Sequence, residues 1–377
     1  MNLPHVSDIV EILAGIAPPA LAEEWDSTSL QLGDPRRIVE RIMVALDPDD
    51  RVVDQAIATR SSLLVTHHPL IFKPLPRLVT TDPLASLIIR AVSADLAIFS
   101  MHTNFDSVDG GLNDLLAQAV GVLDTEVLIP SPPRFLKLVV FIPVEHEERV
   151  RCALSPLAAP IGQYRDCTFR TTGDGTFRPL VGASPFIGTV GSLEEVNEVR
   201  LELLIERERT SYVLKTLREV HPYEEPAYDL YPVEQADTHN GLGRIGRLPQ
   251  PITLGEYAEQ VSATLGGPVR LYGARERRVA RVALCSGSGA SLIGTAAARG
   301  ADLLLTGDIR HHDAHEARMR GLSLIDASHF ATERLMVPSV AGRLRESLAA
   351  RNYRVDVLEA DETRPWTDIH PTWNNTV

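Results

Sequence analysis

The sequence predicts an α/β protein in which two pseudo-repeated α/β halves form one discontinuous core, with a ferredoxin-like α+β domain inserted between them. Three observations carry this. First, "VALDPDDRVVDQAIATRSSLLVTHH" (44–68) lies over "VALCSGSGASLIGTAAARGADLLLTGD" (282–308), each a strand, a loop, a helix and a second apolar strand ending in threonine. Second, "LAIFSMHTNFD" (96–106) lies over "LSLIDASHFATE" (322–333), each a strand followed by His-x-x-x-acid. Third, the segment 127–237 between the copies keeps neither rhythm.

Each element follows in order. Ile9, Val10, Leu13 and Ile16 recur at helical spacing near the start of the chain and predict an amphipathic helix. Leu63, Leu64 and Val65 read as a strand buried on both faces, and Pro69 removes a backbone donor and ends it after His67 and His68. The repeated strand–helix–strand is the βαβ unit of a parallel sheet, whose ligands gather beyond the carboxyl ends of the strands. In the insert, "FLKLVVFIP" reads as a strand and "EHEERVRCALSPL" as a helix. "CTFRTTGDGTFRP" reads as a hairpin turning at Asp174-Gly175. "VRLELLIERE", "TSYVLKTLREV" and "PAYDLYPVE" then read as strand, helix and strand, the order of a ferredoxin-like module. The prolines at 130–133 and the polar stretch 234–243 mark the junctions. The expected division is 1–126 for the first half, 127–237 for the insert and 238–377 for the second half.

Composition narrows the function classes. The chain has 377 residues, 44% hydrophobic and 23% charged, the balance of a soluble globular protein. A formal net charge of −13 argues against a nucleic-acid-binding surface. Three scattered cysteines, Cys152, Cys167 and Cys285, supply no disulfide framework and fit a reducing compartment. Asp8 and Glu11 near the start and the lack of a basic leader argue against a signal peptide, and no apolar run approaches the length of a membrane span. The expectation is a cytoplasmic protein with no membrane partner.

The candidate metal ligands are His67, His68, Asp106, His329 and Glu333. Four-residue spacing puts both members of each His-x-x-x-acid pair on one helix face, and the doubly wound arrangement brings all five to one sheet edge. Three imidazoles and two carboxylates exceed a closed tetrahedral site and suit two divalent ions about 3.5–4 Å apart with open positions. Mixed nitrogen and oxygen donors fit zinc, iron or manganese. His102 is a candidate for proton transfer or for supporting the ligands, and so is His312 within the cluster Asp308, His311, His312 and His315, whose plainer reading is a polar helix start with solvated histidines. "SGSG" (286–289) reads either as a phosphate-wrapping loop or as a plain turn, and "EEWDSTSLQLGD" (23–34) either as a pocket lining or as a surface loop.

"VTHHPLIF", "HTNFDSVDGGLND", "LLLTGDIRHHDAHEA" and "HFATE" together resemble the Nif-three-like proteins, also called GTP cyclohydrolase 1 type 2 homologs. The resemblance spans nearly the whole chain, and "HPYEEPAYDLYPVE" (221–234) is similar to the end of the CutA/PII-like insert of the longer bacterial members. The family's W-D-N-x-G-L reads "WDSTSL" here, with Ser27 and Ser29 in place of Asn and Gly. The resemblance implies a dinuclear metal centre on the same five residues and a homohexamer. It also implies a hydrolase acting on a nucleotide or similar small polar substrate, with ring opening of GTP as one form. The competing reading is a metal-binding regulatory or metal-handling protein without turnover.

Overall fold

Continuous apolar runs make the first sheet. Arg41–Ala45, Leu63–Thr66 and Ala97–Ser100 are parallel neighbours, with Ala45 opposite Thr66 and Thr66 opposite Ser100. Both faces of these strands are buried, and each fully buried Leu or Val contributes about 1.5–3 kcal/mol. Helices Asp50–Ala58 and Pro83–Ser93 cover one face through Val52, Val53, Ala56, Ile88 and Ala91. Their starts are set by Asp49 and Asp82, whose carboxylates accept from Val52 N at 2.8 Å and Ala85 N at 2.9 Å. Helices Val6–Ile16 and Met336–Ala350 cover the other face. Ser29–Leu32 runs antiparallel along the outer edge of Ala97–Ser100.

The opposite edge of this sheet is closed by Asp356–Glu359, parallel to Arg41–Ala45, so the far end of the chain completes the first half. Met336, Val340, Leu344 and Leu348 bury against the first sheet's core, and the strand that follows pairs with an otherwise open edge. The exchange is mutual. Leu123–Pro130, which runs across position 126, pairs with Gly241–Thr253 in the second, six-stranded sheet. At the centre of that sheet Arg278–Leu284, Leu303–Thr306 and Ser323–Asp326 are parallel. Arg270–Tyr272 and Gly241–Thr253 flank them antiparallel.

The computed structural model describes residues 2–132, 135–233 and 239–367. It divides the chain into two compact units, 1–130 with 238–377, and 131–237. Part of the expected second junction, 234–238, lies outside the described residues, as does Pro133 of the first. Among the described residues no helix is long and apolar enough to cross a membrane.

The second unit holds four antiparallel strands ordered Thr168–Phe177, Glu194–Glu206, Phe135–Pro143, Tyr228–Pro232. Helices Glu147–Leu154 and Thr210–Val220 pack Val150, Leu154, Val213 and Leu217 on Leu138, Val140 and Ile142. Asp174-Gly175 is not a turn. It lies within Thr168–Phe177, where Asp174 pairs with Asn197 and accepts its Nδ2 at 3.0 Å. Gly175 meets a close approach: a Cβ there would lie 2.2 Å from Glu198 Oε2.

Candidate metal centre

The two strand–helix junctions converge. His67 and His68 leave the end of Leu63–Thr66, and their backbone is held by Thr66 Oγ1 donating to His68 O (2.7 Å) and Ser100 Oγ donating to His67 O (2.9 Å). His102 immediately precedes the short helix Thr103–Ser107, which carries Asp106, and the short helix His329–Glu333 carries its pair at its two ends. The turn into the second helix is strained: Ser328 has φ 67° and ψ 148°, a conformation rare outside glycine and commonest at functional sites. Ser328 also accepts from Ala331 N at 3.3 Å, capping the helix.

Glu333 stands at the focus. Its Oε2 lies 3.1 Å from His68 Nε2 and 3.0 Å from His329 Nε2, and those two nitrogens are 3.3 Å apart. Its Oε1 lies 3.6 Å from His67 Nε2, which is 3.8 Å from Asp106 Oδ1. One carboxylate therefore turns an oxygen toward each of two donor groups. His68, His329 and Glu333 bring ligand atoms within 4.8 Å of one another, as do His67, His68 and His102, and either group could hold a metal ion.

Every imidazole of this cluster is oriented through Nδ1. His67 Nδ1 bonds Met101 O at 3.0 Å, and since a carbonyl only accepts, that nitrogen carries the proton. His68 Nδ1 meets Asp47 Oδ1 at 2.7 Å, His102 Nδ1 meets Asp26 Oδ1 at 2.8 Å, and His329 Nδ1 meets Asp308 Oδ2 at 2.8 Å. In this tautomer Nε2 offers its lone pair to the centre, the usual arrangement for ligating histidines.

The charges are tightly coupled. Burial raises the Asp106 carboxyl against the pull of His67, and Glu333 pushes it further up. Burial also acts to raise Glu333, but His67, His329 and His68 outweigh it and hold that carboxyl well below its usual range. Burial pulls His68 and His329 down, yet their carboxylate partners prevail and raise them to about 10 and about 9. Desolvation would raise Asp26, but hydrogen bonds from His102 and Thr103 hold it at about 2.

These residues fit a metal centre. His67 Nε2 and Glu333 Oε2 are buried without a hydrogen-bond partner, which is costly unless a cation completes them. Donor–donor edges of 3.0, 3.1 and 3.3 Å match those of ligands sharing one ion, about 2.8–3.4 Å for bonds of 2.0–2.1 Å. Gly287, at φ 61°, leaves the carboxylate its space: a Cβ there would lie 2.1 Å from Glu333 Oε1.

The other candidates separate. "SGSG" does not wrap a phosphate: the amides of Ser286, Gly287 and Gly289 donate to Asn113 Oδ1 (2.9 Å), Thr332 Oγ1 (3.0 Å) and Thr306 Oγ1 (2.7 Å). Its Ser286 Oγ instead donates to Asp106 Oδ1 at 2.9 Å. Of the 23–34 stretch, Asp26 reaches the centre through His102 while Trp25 stays exposed. His312 is exposed with its ring against His311, and it is not among the histidines grouped with Glu333. Sequence reasoning missed Asp47. Its one signal was position, just beyond Arg41–Ala45 at the carboxyl edge of the sheet.

A family model for Duf34/NIF3 (NGG1p interacting factor 3) matches residues 4–365. A Bacillus subtilis protein named GTP cyclohydrolase 1 type 2 homolog is 40% identical over 363 residues, covering 95% of this chain and 97% of its own. A Mycobacterium tuberculosis protein of the same name is 37% identical over 376 residues, covering 98% of each chain. Among solved structures, a Bacillus cereus protein related to NIF3 superposes with a TM-score of 0.72 at 38% identity, over 98% of this chain and 100% of that one. A Staphylococcus aureus protein superposes with a TM-score of 0.78 at 28% identity and the same coverage. With a family model matched over residues 4–365 and curated relatives up to 40% identical over nearly its whole length, this chain belongs to the Duf34/NIF3 family.

Proposed function

We propose that the protein is a dinuclear-metal-dependent hydrolase acting on a nucleotide or a similar small polar substrate. The observation that carries this reading is the double-facing carboxylate of Glu333, one oxygen toward His68 and His329 and the other toward His67 and Asp106. In this reading His67, Asp106 and Glu333 would hold one divalent ion, and His68, His329 and Glu333 would hold the other, with zinc, iron and manganese all compatible. Bound ions of this type supply Lewis acidity and bring the pKa of water toward 7.

The remaining chemistry belongs to the side chains. His102 carries its proton on Nδ1 against Asp26, and its Nε2 side is available to take a proton from a nucleophile and return it to a leaving group. Asp26 stays ionised and receives Thr103 N at 3.0 Å, which locks the imidazole in place. Trp25, 60% exposed, stands edge-on to His102 at 6.1 Å and tilted against Phe72 at 5.9 Å. That aromatic pair offers a flat base a stacking surface beside the centre. The name GTP cyclohydrolase 1 type 2 homolog borne by the relatives agrees with a nucleotide but does not choose the reaction.

The experiment is turnover by metal-replete protein against GTP and a panel of other nucleotides, with Asp106→Ala as control. Metal-dependent turnover that is lost in the folded control supports the reading. A metal-loaded protein that turns over no nucleotide overturns it in favour of metal binding without catalysis. We also propose, from the family resemblance, a homohexamer, which a solution mass determination tests.

A further inference from the structure

A cavity of about 400 Å³ lies among helix His311–Met319, strand Arg270–Tyr272 and the start of strand Ser323–Asp326. Its volume is that of a small-molecule site. The polar side chains lining it are Tyr272, Arg277, His311, His315 and Arg318, and no carboxylate lines it. That is against the background of a chain with 50 acidic and 37 basic residues. Arg277 is fixed by Nη1 donating to Gly321 O at 2.7 Å, which leaves its other N–H groups to a ligand. The Arg318 side chain has no hydrogen bond or ion pair among the described residues. His311 and His315, one helical turn apart, hold their rings edge to face at 4.6 Å.

We propose that this cavity binds a small phosphate monoester. Arg277 and Arg318 hold the phosphate, and Tyr272 with the His311–His315 pair flanks the organic part. Two guanidiniums from separate elements match a dianion better than a single carboxylate. The site is distinct from the Glu333 centre and needs no metal.

The test uses full-length, metal-stripped protein titrated calorimetrically with AMP and with inorganic phosphate. Saturable binding of AMP, tighter than that of inorganic phosphate, is expected. Arg318→Ala weakens it about tenfold or more and Arg318→Glu removes it. Arg36→Glu, the same charge change on a remote exposed arginine, leaves it intact. No saturable binding at millimolar AMP, binding indifferent to both Arg318 variants, or equal weakening by Arg36→Glu overturns the proposal.

Discussion

Gly287→Ala puts the centre under a defined strain. An alanine Cβ at this position would lie 2.1 Å from Glu333 Oε1 and 3.3 Å from His329 Nε2, whereas ordinary contacts begin at 3.4 Å, so the carboxylate must withdraw by about 1.3 Å. Metal–ligand distances tolerate only about 0.2 Å. Loss of that ligand is therefore expected to weaken at least one metal by about 10–100-fold or more. The backbone also resists, since φ is 61° and a left-handed alanine costs about 1–2 kcal/mol. Gly300→Ala separates the two effects, because Gly300 has φ 75° with nothing within 4 Å of its Cβ position. Elemental analysis after equilibration with a competing chelator, together with thermal denaturation, reads both. Both variants carry the left-handed backbone cost, and only Gly287→Ala loses metal and the stability that metal adds. Equal metal retention in the two would refute the placement of Glu333 as a ligand.

Glu333→Gln removes a charge that offsets a dication and is expected to weaken at least one metal strongly in chelator competition, while Glu346→Gln, at an exposed position, changes nothing; equal retention sinks the ligand role. Asp308→Asn and Asp47→Asn each spare the ligand nitrogens but remove the carboxylates on His329 and His68, so metal affinity drops about 10–100-fold. Unchanged affinity would mean these carboxylates do not support the site. His221 has its pKa pushed down by burial, with Nε2 at 3.0 Å from Phe141 O. Its contribution to stability is therefore full above the unfolded value of about 6.5 and is lost as pH falls below it. Denaturation from pH 7 to pH 5 should show a steeper decline for the wild-type chain than for His221→Gln, and parallel declines would count against a buried neutral imidazole.

What was legible in the sequence was local. The βαβ repeat, the apolar strands and the His-x-x-x-acid pairs each sit within a few residues, and the α/β fold follows from them. The structure brings His67, His68, Asp106, His329 and Glu333 together because the strands that carry them are parallel and end at the same sheet edges. What was not legible depends on partners far along the chain. Asp26 meets His102 across 76 positions, and Glu333 meets His68 only where the two sheets adjoin. Nothing local announces that Asp356–Glu359 returns to the first sheet or that Leu123–Pro130 belongs to the second. Asp174-Gly175 carries the composition of a tight turn, yet its partner strand lies beyond residue 190, so pairing at a distance overrides the local signal. The glycine-rich "SGSG" has three amides consumed by Asn113, Thr332 and Thr306, and their hydroxyl or amide oxygens are invisible in a linear motif.

The central claim, two ions bridged by one carboxylate, is tested most directly by anomalous diffraction at the metal edge from crystals of metal-replete protein, alongside metal analysis of the same sample. Close to two ions per chain are expected. One lies among His67, Asp106 and Glu333 and the other among His68, His329 and Glu333, with Glu333 touching both. Less than half an equivalent of metal, or anomalous peaks held by other residues, would contradict the account.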